Sequence, residues 1–405
     1  MRKYAVTAWV GMSVCVLTMP LATAQMVGVE LVPDGGVTGI LFGTSVGISG
    51  DIAAVGAAAD GGGRGSVSVY TRGNGTWPYQ ATLTAAESLV SDQLGYFTEV
   101  HGNQVFAGSP SHGTDMGPYP GAVFVFTQSG SSWSETQVLQ ATPPIDGGFF
   151  GARFAVDGAT LLVSGTDANG QASVYAFADQ GGQWTQTGIL QPSEGGDFGS
   201  HISISGNVAV VGADAGMNSS GVQTGVAYVF TRSGDAWTET TRLESPSSFF
   251  GAQFGISVSV SGATIVVGAP NEFVGNVHQG AAHVFQNSGG TWSEVTRLTA
   301  DDGESGNTLG KDVRVCGTRV FAGSSNFSEG SNSAEGAVYE WAETNGVWTS
   351  QGEFTLPPPG RSNAYFGDHL GVSTTGLIVG APFADAAYVY ENGCVADPIY
   401  QNGFD

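Results

Sequence analysis

The stretch that decides the fold runs from Phe250 to Leu298 and reads FGAQFGISVSVSGATIVVGAPNEFVGNVHQGAAHVFQNSGGTWSEVTRL. It contains four short runs rich in Val, Ile, Phe and Thr, each bounded by Gly, Ser, Asn or Pro. Such runs are typical of β-strands, and short polar gaps join them as hairpins. We therefore predict a four-stranded antiparallel meander whose first strand is led by Phe250-Gly251.

The same four-part pattern recurs seven times along the chain. Its first strand opens on an anchor pair, an aromatic residue or Leu followed by Gly, which begins at Phe42, Leu94, Phe150, Phe198, Phe250, Leu309 and Phe366. The third strand ends on an aromatic residue, at Tyr70, Phe126, Phe177, Phe230, Phe285, Trp341 and Tyr390. Six units open the fourth strand with Trp, at Trp77, Trp133, Trp184, Trp237, Trp292 and Trp348. Units of this kind, repeated four to eight times, build a β-propeller, so we predict an all-β, seven-bladed propeller of four-stranded antiparallel blades.

The two ends of the repeat array complement each other. The seventh unit stops after its third strand, at Tyr390, and no Trp-led strand follows. Near the other end, Val27–Leu31 has the pattern of a strand and is followed by a polar turn and then the first anchor pair. We predict that residues 26–32 supply the missing outer strand of the seventh blade and so close the ring, which removes two open sheet edges.

The repeat pattern FGxSVxISGxxxVVGAP, followed by GxxYVF and a Trp-led strand, resembles the FG-GAP repeat of integrin α-subunit propellers. It is more similar still to the repeat of exported bacterial proteins. The resemblance covers residues 42 to about 390 and implies the fold rather than a function. Integrin-type blades often carry an Asp-x-Asp-x-Asp-Gly calcium loop, and no Asp-x-Asp-x-Asp run occurs in this chain. We therefore do not carry calcium over from the resemblance. We expect no metal site and no cofactor, with calcium as the alternative.

Residues 1–24 have the features of a secretory signal peptide. Arg2 and Lys3 precede an apolar run from Ala5 to Met19, and Ala22–Ala24 forms an A-x-A cleavage site. A membrane anchor is the alternative, but the run is short for a bilayer span. We expect a protein without a membrane span that is secreted or periplasmic, with the propeller in residues 25–393 and a tail of unassigned role in residues 394–405.

The composition restricts the classes of partner. The chain has 35 acidic residues against 12 Lys and Arg, which gives a formal net charge of −23. Such a surface repels phosphate backbones and anionic lipids, so we expect neither nucleic acid nor membrane as a partner. Solubility of an exported protein is the simpler explanation of this charge. Outside the signal peptide only Cys316 and Cys394 remain, and the blade pattern places them in turns on the same face, where they either pair or stay as two thiols.

No catalytic motif fits the chain, and we predict no catalytic residue. Gly43-Thr44-Ser45-Val46-Gly47 matches G-x-S-x-G, but it lies on a strand rather than at the strand-to-helix turn of a nucleophile elbow. Residues two positions after each anchor glycine should surround one mouth of the central channel; they are Ser45, Phe97, Arg153, His201, Gln253, Asp312 and His369. Convergent polar groups in a concavity are a candidate ligand site, here Arg153, His201, Gln253, Asp312 and His369. The alternative is that these are solvated strand ends with no common role.

Three functions are compatible with these patterns. The first is a non-enzymatic binding or adhesion module with a protein or glycan partner at the longest loops, which follow second strands and should lie on one face: Pro110–Pro120, Ala213–Thr224, Asn271–Gln279 and Ser324–Glu335. The second is a polysaccharide lyase or hydrolase, with Arg and His at the channel mouth binding and deprotonating a uronic acid. The third is a structural protein of an envelope or matrix. The ligand and the oligomeric state stay open.

Overall fold

The computed structural model describes residues 28–114, 117–247, 249–328, 333–357, 360–391 and 394. These residues form seven four-stranded antiparallel sheets, so the predicted all-β propeller is confirmed. In each blade the strands are hydrogen-bonded in the order of a meander, and the first strand is innermost. The predicted signal peptide and residues 395–405 of the tail lie outside the described residues.

The strands follow one another blade by blade. The first described strand is β1 (Val29–Leu31). Blade 1 contains β2 (Phe42–Ser49), β3 (Ile52–Ala57), β4 (Ser66–Thr71) and β5 (Tyr79–Leu83). Blade 2 contains β6 (Thr98–His101), β7 (Gln104–Ser109), β8 (Ala122–Ser129) and β9 (Ser132–Leu139). Blade 3 contains β10 (Phe154–Asp157), β11 (Thr160–Thr166), β12 (Ala172–Asp179) and β13 (Trp184–Leu190). Blade 4 contains β14 (Ile202–Ser205), β15 (Val208–Ala213), β16 (Val226–Ser233) and β17 (Ala236–Glu244).

The remaining three blades continue the same pattern. Blade 5 contains β18 (Ser257–Ser261), β19 (Thr264–Ala269), β20 (Ala281–Ser288) and β21 (Thr291–Leu298). Blade 6 contains β22 (Val313–Cys316), β23 (Arg319–Ser324), β24 (Ala337–Thr344) and β25 (Val347–Thr355). Blade 7 contains β26 (Leu370–Val372), β27 (Leu377–Ala381), β28 (Ala386–Tyr390) and, as its outer strand, β1. The described helices are short: α1 (Asp60–Gly63) and two 3₁₀ turns, Asp34–Gly36 and Pro382–Ala384.

The ring is closed by the N-terminal strand. In blade 7, β1 pairs antiparallel with β28 in the register Val29↔Val389, Glu30↔Tyr388 and Leu31↔Ala387. The predicted closure is therefore confirmed for the described residues of the 26–32 segment. One blade is built from both ends of the repeat array, so the closing strand holds the first and last repeats together.

The apolar core is divided among the blade interfaces. Seven clusters of buried side chains each combine the facing sides of two adjacent blades. Between blades 2 and 3, for example, the ring of Phe106 meets the indole of Trp184 edge to face at 5.5 Å between centroids. Burying a Phe side chain of this kind stabilises the fold by roughly 1.5–3 kcal/mol. A blade therefore gains most of its stability from its neighbours.

The anchor pair of blade 5 differs from the sequence prediction. Phe250 is 67% exposed, whereas Phe254 is fully buried like the other anchor aromatics. The residue before the true anchor has a positive φ in all seven blades: Leu41, Gln93, Phe149, Asp197, Gln253, Thr308 and Tyr365. Blade 5 is therefore anchored by Phe254-Gly255, and the assignment to Phe250-Gly251 was wrong. Two FG pairs lie four residues apart, and only contact with blade 4 distinguishes them.

The two glycines of these FG pairs provide a matched test of the register. Both have positive φ, +94° at Gly255 and +79° at Gly251, a conformation that costs other residues about 1–2 kcal/mol. A Cβ on Gly255 would lie 2.3 Å from the carbonyl oxygen of Val226 in blade 4, whereas a Cβ on Gly251 would meet nothing within 4 Å. We expect Gly255→Ala to destabilise the protein by about 3 kcal/mol or more, because overpacking adds to the backbone strain. Gly251→Ala should lower the free energy of unfolding only by the backbone strain. Equal losses of this free energy for the two variants in urea unfolding would contradict the assignment of Phe254-Gly255 as the anchor.

A disulfide joins the end of the repeat array to blade 6. Cys316 ends β22 and Cys394 follows β28, and their Cα atoms lie 5.6 Å apart across 78 residues of sequence. The backbone N–H of Cys394 also donates to the carbonyl oxygen of Ser373 in blade 7 (3.0 Å). The disulfide therefore holds Cys394 on the face that carries the first-to-second-strand turns.

Candidate functional site

The central channel is lined by the seven innermost strands. Successive side chains of a strand alternate between its two sides, so residues two, four and six positions after each anchor glycine lie on the same side. Residues at the first of these positions, here called the ring position, lie nearest the long-loop face, which carries the second-to-third-strand loops and the connections between blades. Residues six positions on lie nearest the opposite face, here called the turn face. The functional candidates are arranged in these three layers.

Many of these side chains hydrogen-bond to the backbone of the next blade. Glu99 Oε2 accepts from the N–H of Val156 (3.1 Å), and Ser203 Oγ accepts from Val260 N–H (3.0 Å). The same contact recurs between Ser259 Oγ and Val315 N–H, Ser205 Oγ and Gly262 N–H, and Ser261 Oγ and Gly317 N–H. An innermost strand has one unpaired edge, and its N–H groups need acceptors when they are buried. Polar side chains in the channel therefore hold the ring together.

Two of the predicted site residues, His201 and Asp312, belong to this blade-to-blade pattern. Both are buried, at 6% and 3% exposure. Asp312 Oδ2 accepts from the N–H of Leu370 (2.9 Å), and His201 Nδ1 accepts from the N–H of Val258 (3.4 Å). Arg314 joins them, with its Nη1 2.6 Å from Asp312 Oδ1 and 3.4 Å from His201 Nε2. The structure therefore brings blades 4 and 6 together across the channel.

Arg153 and His369 complete the group at the same mouth of the channel. The guanidinium carbon of Arg153 lies 5.5 Å and 5.4 Å from the ring centres of Tyr96 and Phe97, and its Nη1 donates to the carbonyl of Ala152 (2.8 Å). The ring of Phe97 in turn meets His201 edge to face, at 6.2 Å between centroids. His369 Nε2 lies 3.6 Å from a carboxylate oxygen of Asp368. Four of the five predicted ring residues thus lie at one site.

Gln253 is the predicted ring residue that does not lie at the ring position. Because blade 5 is anchored by Phe254-Gly255, the ring position of that blade is Ser257. Ser257 Oγ donates to the carbonyl of Gly310 (2.9 Å), as Ser45 Oγ does to Gly95 (2.8 Å). Gln253 instead lies in the connection that precedes the anchor, where its Oε1 accepts from Asn271 Nδ2 (2.6 Å). Its inclusion in the ring was wrong for the same reason as the anchor assignment.

Sequence reasoning missed Arg314 and Glu99. Both lie four positions after an anchor glycine, on the same side of the strand as the ring residues. Burial raises the pKa of Glu99 to about 7, although Arg314 and the N–H of Val156 oppose the shift. The two-residue period of a strand was the signal that could have found them, because the prediction examined only one position in each repeat.

The electrostatics of the mouth keep its histidines neutral. Burial lowers the pKa of His201 well below its usual value, and the charges of Arg314 and Arg153 lower it further. Burial lowers the pKa of His369 to about 4, where Asp368 opposes the shift while Arg153, Lys311 and Arg314 add to it. Both imidazoles are therefore uncharged at neutral pH, and the positive charges of the mouth reside on the arginines and on Lys311.

A cavity of about 160 Å³ occupies the channel. Its walls extend from Phe97, His201 and Arg314 to His101 and Asp157 near the turn face. Ligand pockets usually measure roughly 300–1,000 Å³, and a water molecule takes about 30 Å³. The cavity therefore has room for a few waters or a small group, but an oligosaccharide does not fit inside it.

The G-x-S-x-G match has a structural explanation. Ser45 is 1% exposed, and its Oγ contacts the carbonyl of Gly95 and the hydroxyl of Thr98 (2.9 Å) in the next blade. Neither partner is a general base, which a serine nucleophile needs. Ser45 links blades 1 and 2.

The model of the FG-GAP repeat family matches residues 28–70, 184–230 and 237–285. These matches identify FG-GAP repeats within the seven-bladed ring.

The chain is a seven-bladed β-propeller that contains FG-GAP repeats.

Solved structures similar to this FG-GAP propeller show the same fold. One is the crystal structure of a protein from Lactobacillus plantarum, with 14% identity, coverage of 79% of this chain and 86% of that chain, and a TM-score of 0.53. Another is a chain in the crystal structure of the mitotic checkpoint complex, with 10% identity, coverage of 96% and 100%, and a TM-score of 0.57. No curated protein matches the sequence. At these identities the similarity concerns the fold alone.

An integrin-type calcium site needs a cluster of oxygen donors. Calcium takes six to eight oxygen ligands, several of them carboxylates. The first-to-second-strand turns of blades 1, 4 and 5 carry Ser-Gly-Asp, Ser-Gly-Asn and Ser-Gly-Ala, and none of the seven turns carries an Asp-x-Asp-x-Asp run. The described ranges contain no group of three or more Asp, Glu, His or Cys residues suited to a metal ion. The described residues therefore do not fit the integrin-type calcium site. Within the same ranges, no helix has the length and apolar character needed to span a bilayer.

The long-loop face of the FG-GAP propeller carries exposed aromatic side chains in three groups. The blade 4–5 group is Phe249, Phe250 and Phe273, at 38%, 67% and 38% exposure, with 4.7 Å between the centroids of Phe249 and Phe273. The other two groups are Tyr119 with Phe149 at blades 2 and 3, and Phe383 with the half-buried Tyr365 at blade 7. In the described residues, the other exposed large hydrophobic side chains on this face are Val37, Val90 and Met217. The face that carries the long loops is thus also the face that exposes aromatic surface.

Proposed function

We propose that this FG-GAP propeller is an exported binding module that docks a protein or glycan partner on its long-loop face. The observation that carries the proposal is the distribution of exposed large apolar side chains over the described residues. Nine of the fifteen lie on this face, and the other six lie on or beside outer strands. Exposed apolar patches mark interaction sites, and aromatic residues are frequent hot spots of binding.

The rigidity of the disc supports binding at that face. The seven interface cores and the closing strand fix the blades, so the loops are presented from a scaffold that needs little ordering when a partner binds. The blade 4–5 group is itself ordered, because His278 packs against both Phe249 and Phe273 at 5.8 Å and 4.9 Å between ring centroids. Preorganised aromatic side chains bind at a low entropic cost.

Export is part of the same proposal. The basic start, apolar run and A-x-A site of residues 1–24 are the sequence features that support it. The Cys316–Cys394 disulfide supports it as well, because disulfides persist mainly in oxidising compartments. The enzyme alternative has no comparable support, since both ring nitrogens of His201 face protein groups.

The test is a binding screen of the chain purified without residues 1–24, against a panel of glycans and of proteins from the producing cell's surface. Every bound glycan is examined for cleavage products. We expect binding without cleavage, and Phe249→Ala with Phe273→Ala should weaken it at least about tenfold, as for interface hot spots. Tyr79→Ala is the matched control, because Tyr79 is 37% exposed but lies on the outer strand of blade 1. Cleavage of a bound glycan, or equal losses in both variants, would contradict the proposal.

A further inference from the structure

We propose that the channel mouth at the centre of the long-loop face binds one carboxylate group of an otherwise uncharged ligand, through Arg153 and Lys311. This inference rests on the proposed binding function and names the ligand chemistry at the middle of the same face. The carboxylate comes from a sugar acid or from the end of a peptide, and the experiment below distinguishes these two sources.

Two cations at the mouth have no carboxylate in direct contact. Arg153 and Lys311 are half-buried, and neither forms an ion pair with a carboxylate among the described residues, although Asp214 interacts electrostatically with Lys311. Lys311 is the only lysine after Lys3 in a chain with 35 acidic residues. Partly desolvated cations without an ion-pair contact are costly, so a carboxylate that contacts both of them is stabilised.

The orientation of Arg153 suits a planar anion. Its guanidinium lies over Tyr96 and Phe97, and only Nη1 is used in a hydrogen bond, to the carbonyl of Ala152. The two rings therefore fix the orientation of the guanidinium plane, and its other N–H groups remain available to a ligand. An arginine fork of this kind matches the two oxygens of a carboxylate.

The charge balance of the mouth disfavours more than one negative charge on the ligand. Asp312 neutralises Arg314 at 2.6 Å, and Asp368 lies against the neutral His369. Asp214 interacts electrostatically with Lys311, so Asp368 and Asp214 match the charges of Arg153 and Lys311. A polyanion would bring further charges against a protein of net charge −23, which repels them. A single carboxylate on an uncharged body meets the least repulsion.

The remainder of the mouth is neutral. The half-buried residues directly after the anchor glycines include Thr44, Tyr96, Ser200 and Ile256, which offer hydroxyl and apolar surface to the body of a ligand. The cavity below is too small to take that body, so the ligand lies on the mouth and its carboxylate points inward. The aromatic groups farther out on the face provide contact for a longer ligand.

The experiment measures binding of small probes by calorimetry and ligand-observed NMR, in about 20 mM salt to limit screening. The probes are glucuronate, N-acetylglycine, their uncharged counterparts glucose and N-acetylglycinamide, and inorganic phosphate. We expect one or both acids to bind, and the uncharged counterparts not to. Arg153→Gln and Lys311→Gln should each lower the affinity about tenfold or more, since a hydrogen bond to a charged group is worth roughly 1.5–3 kcal/mol. The control is Arg64→Gln, an exposed arginine on the same face that should leave binding unchanged.

Several outcomes overturn the inference. They are equal binding of the uncharged counterparts, binding of phosphate but of neither acid, and unchanged affinity in both variants. Thermal melts verify that each variant is folded, and the substitution of Lys311 suffices if the Arg153 variant does not fold. If neither acid binds, but a partner found in the binding screen still needs Phe249 and Phe273, the carboxylate site is wrong and the proposed binding function is retained. If no panel partner binds either, both proposals fail.

Discussion

A chain that lacks residues 28–32 will unfold at a much lower temperature than the intact chain, over the whole disc rather than in one blade. The deletion removes β1, exposes the edge of β28 and removes Leu31, which is 1% exposed and packs with Phe42 and Trp77. It also removes the carbonyl of Val32 that accepts from the Tyr70 hydroxyl (2.5 Å) in blade 1. We expect a loss of about 4 kcal/mol or more, from the buried side chain and the open ring. A shift of roughly 5–10 °C in the midpoint follows for a domain of this size.

Point substitutions distinguish the loss of contacts made by the closing strand from the effect of shortening the chain. Leu31→Ala should destabilise the protein by about 2–4 kcal/mol, as for other buried leucines. Val32→Ala is the neighbouring control, because Val32 is 51% exposed and its backbone carbonyl is retained. Calorimetry would measure all three proteins. An intact melt after the deletion would show that the ring does not depend on its N-terminal strand.

Glu272→Gln is also expected to have a large effect, because it disrupts a buried charge network in blade 5. Glu272 and His283 are both fully buried, and Glu272 Oε2 lies 2.9 Å from His283 Nε2. Arg297 Nη1 contacts the other oxygen of Glu272 at 2.8 Å, and Glu294 contacts His283 Nδ1 at 2.7 Å. Removing one charge of a buried pair typically costs 3–5 kcal/mol, and since Gln keeps part of the hydrogen bonding we expect about 3 kcal/mol near pH 6.

The pH dependence of this variant has a defined sign. Burial alone would lower the pKa of His283, but its hydrogen bonds to Glu272 and Glu294 outweigh burial and raise the pKa. The stability that His283 contributes is therefore present below about pH 6.5 and is lost as the pH rises through the raised pKa of the folded state. Burial alone would raise the pKa of Glu272, but His283, Arg297 and Ser245 lower it. The stability that Glu272 contributes is present above about pH 4.3 and is lost as the pH falls through the lowered pKa of the folded state.

Urea unfolding from pH 4 to pH 9 measures the pH-dependent contributions of His283 and Glu272 to the free energy of unfolding. In wild type, the network should contribute most between about pH 4.3 and pH 6.5, and the Glu272→Gln variant should show a smaller decline above that range. Asp301→Asn is the control, since Asp301 is an exposed carboxylate in the connection that leaves blade 5. Parallel stability profiles of wild type and Glu272→Gln would show that the pair does not titrate as a unit.

The channel site could be predicted only in part. The repeat pattern predicted Arg153, His201, Asp312 and His369 at one end of the channel, because equivalent positions of a closed ring lie at equivalent depths. It could not show that His201 and Asp312 accept hydrogen bonds from the next blade, nor that Arg314 lies between them. Those contacts depend on rotamers and on the distance across the channel, and neither leaves a local pattern in the chain.

The sequence by itself determined the seven meanders, their four strands and the closure of the ring by β1. These follow from short-range regularities: alternating side chains, turn residues and aromatic positions repeated at similar spacing, which report local backbone structure. Only the tertiary structure decided which FG pair anchors blade 5, because Phe250-Gly251 and Phe254-Gly255 are locally equivalent and only Gly255 must approach Val226 of blade 4. The tertiary structure also assembled the aromatic face from connections far apart in the chain. Packing between blades is a long-range property, and a single repeat does not contain it.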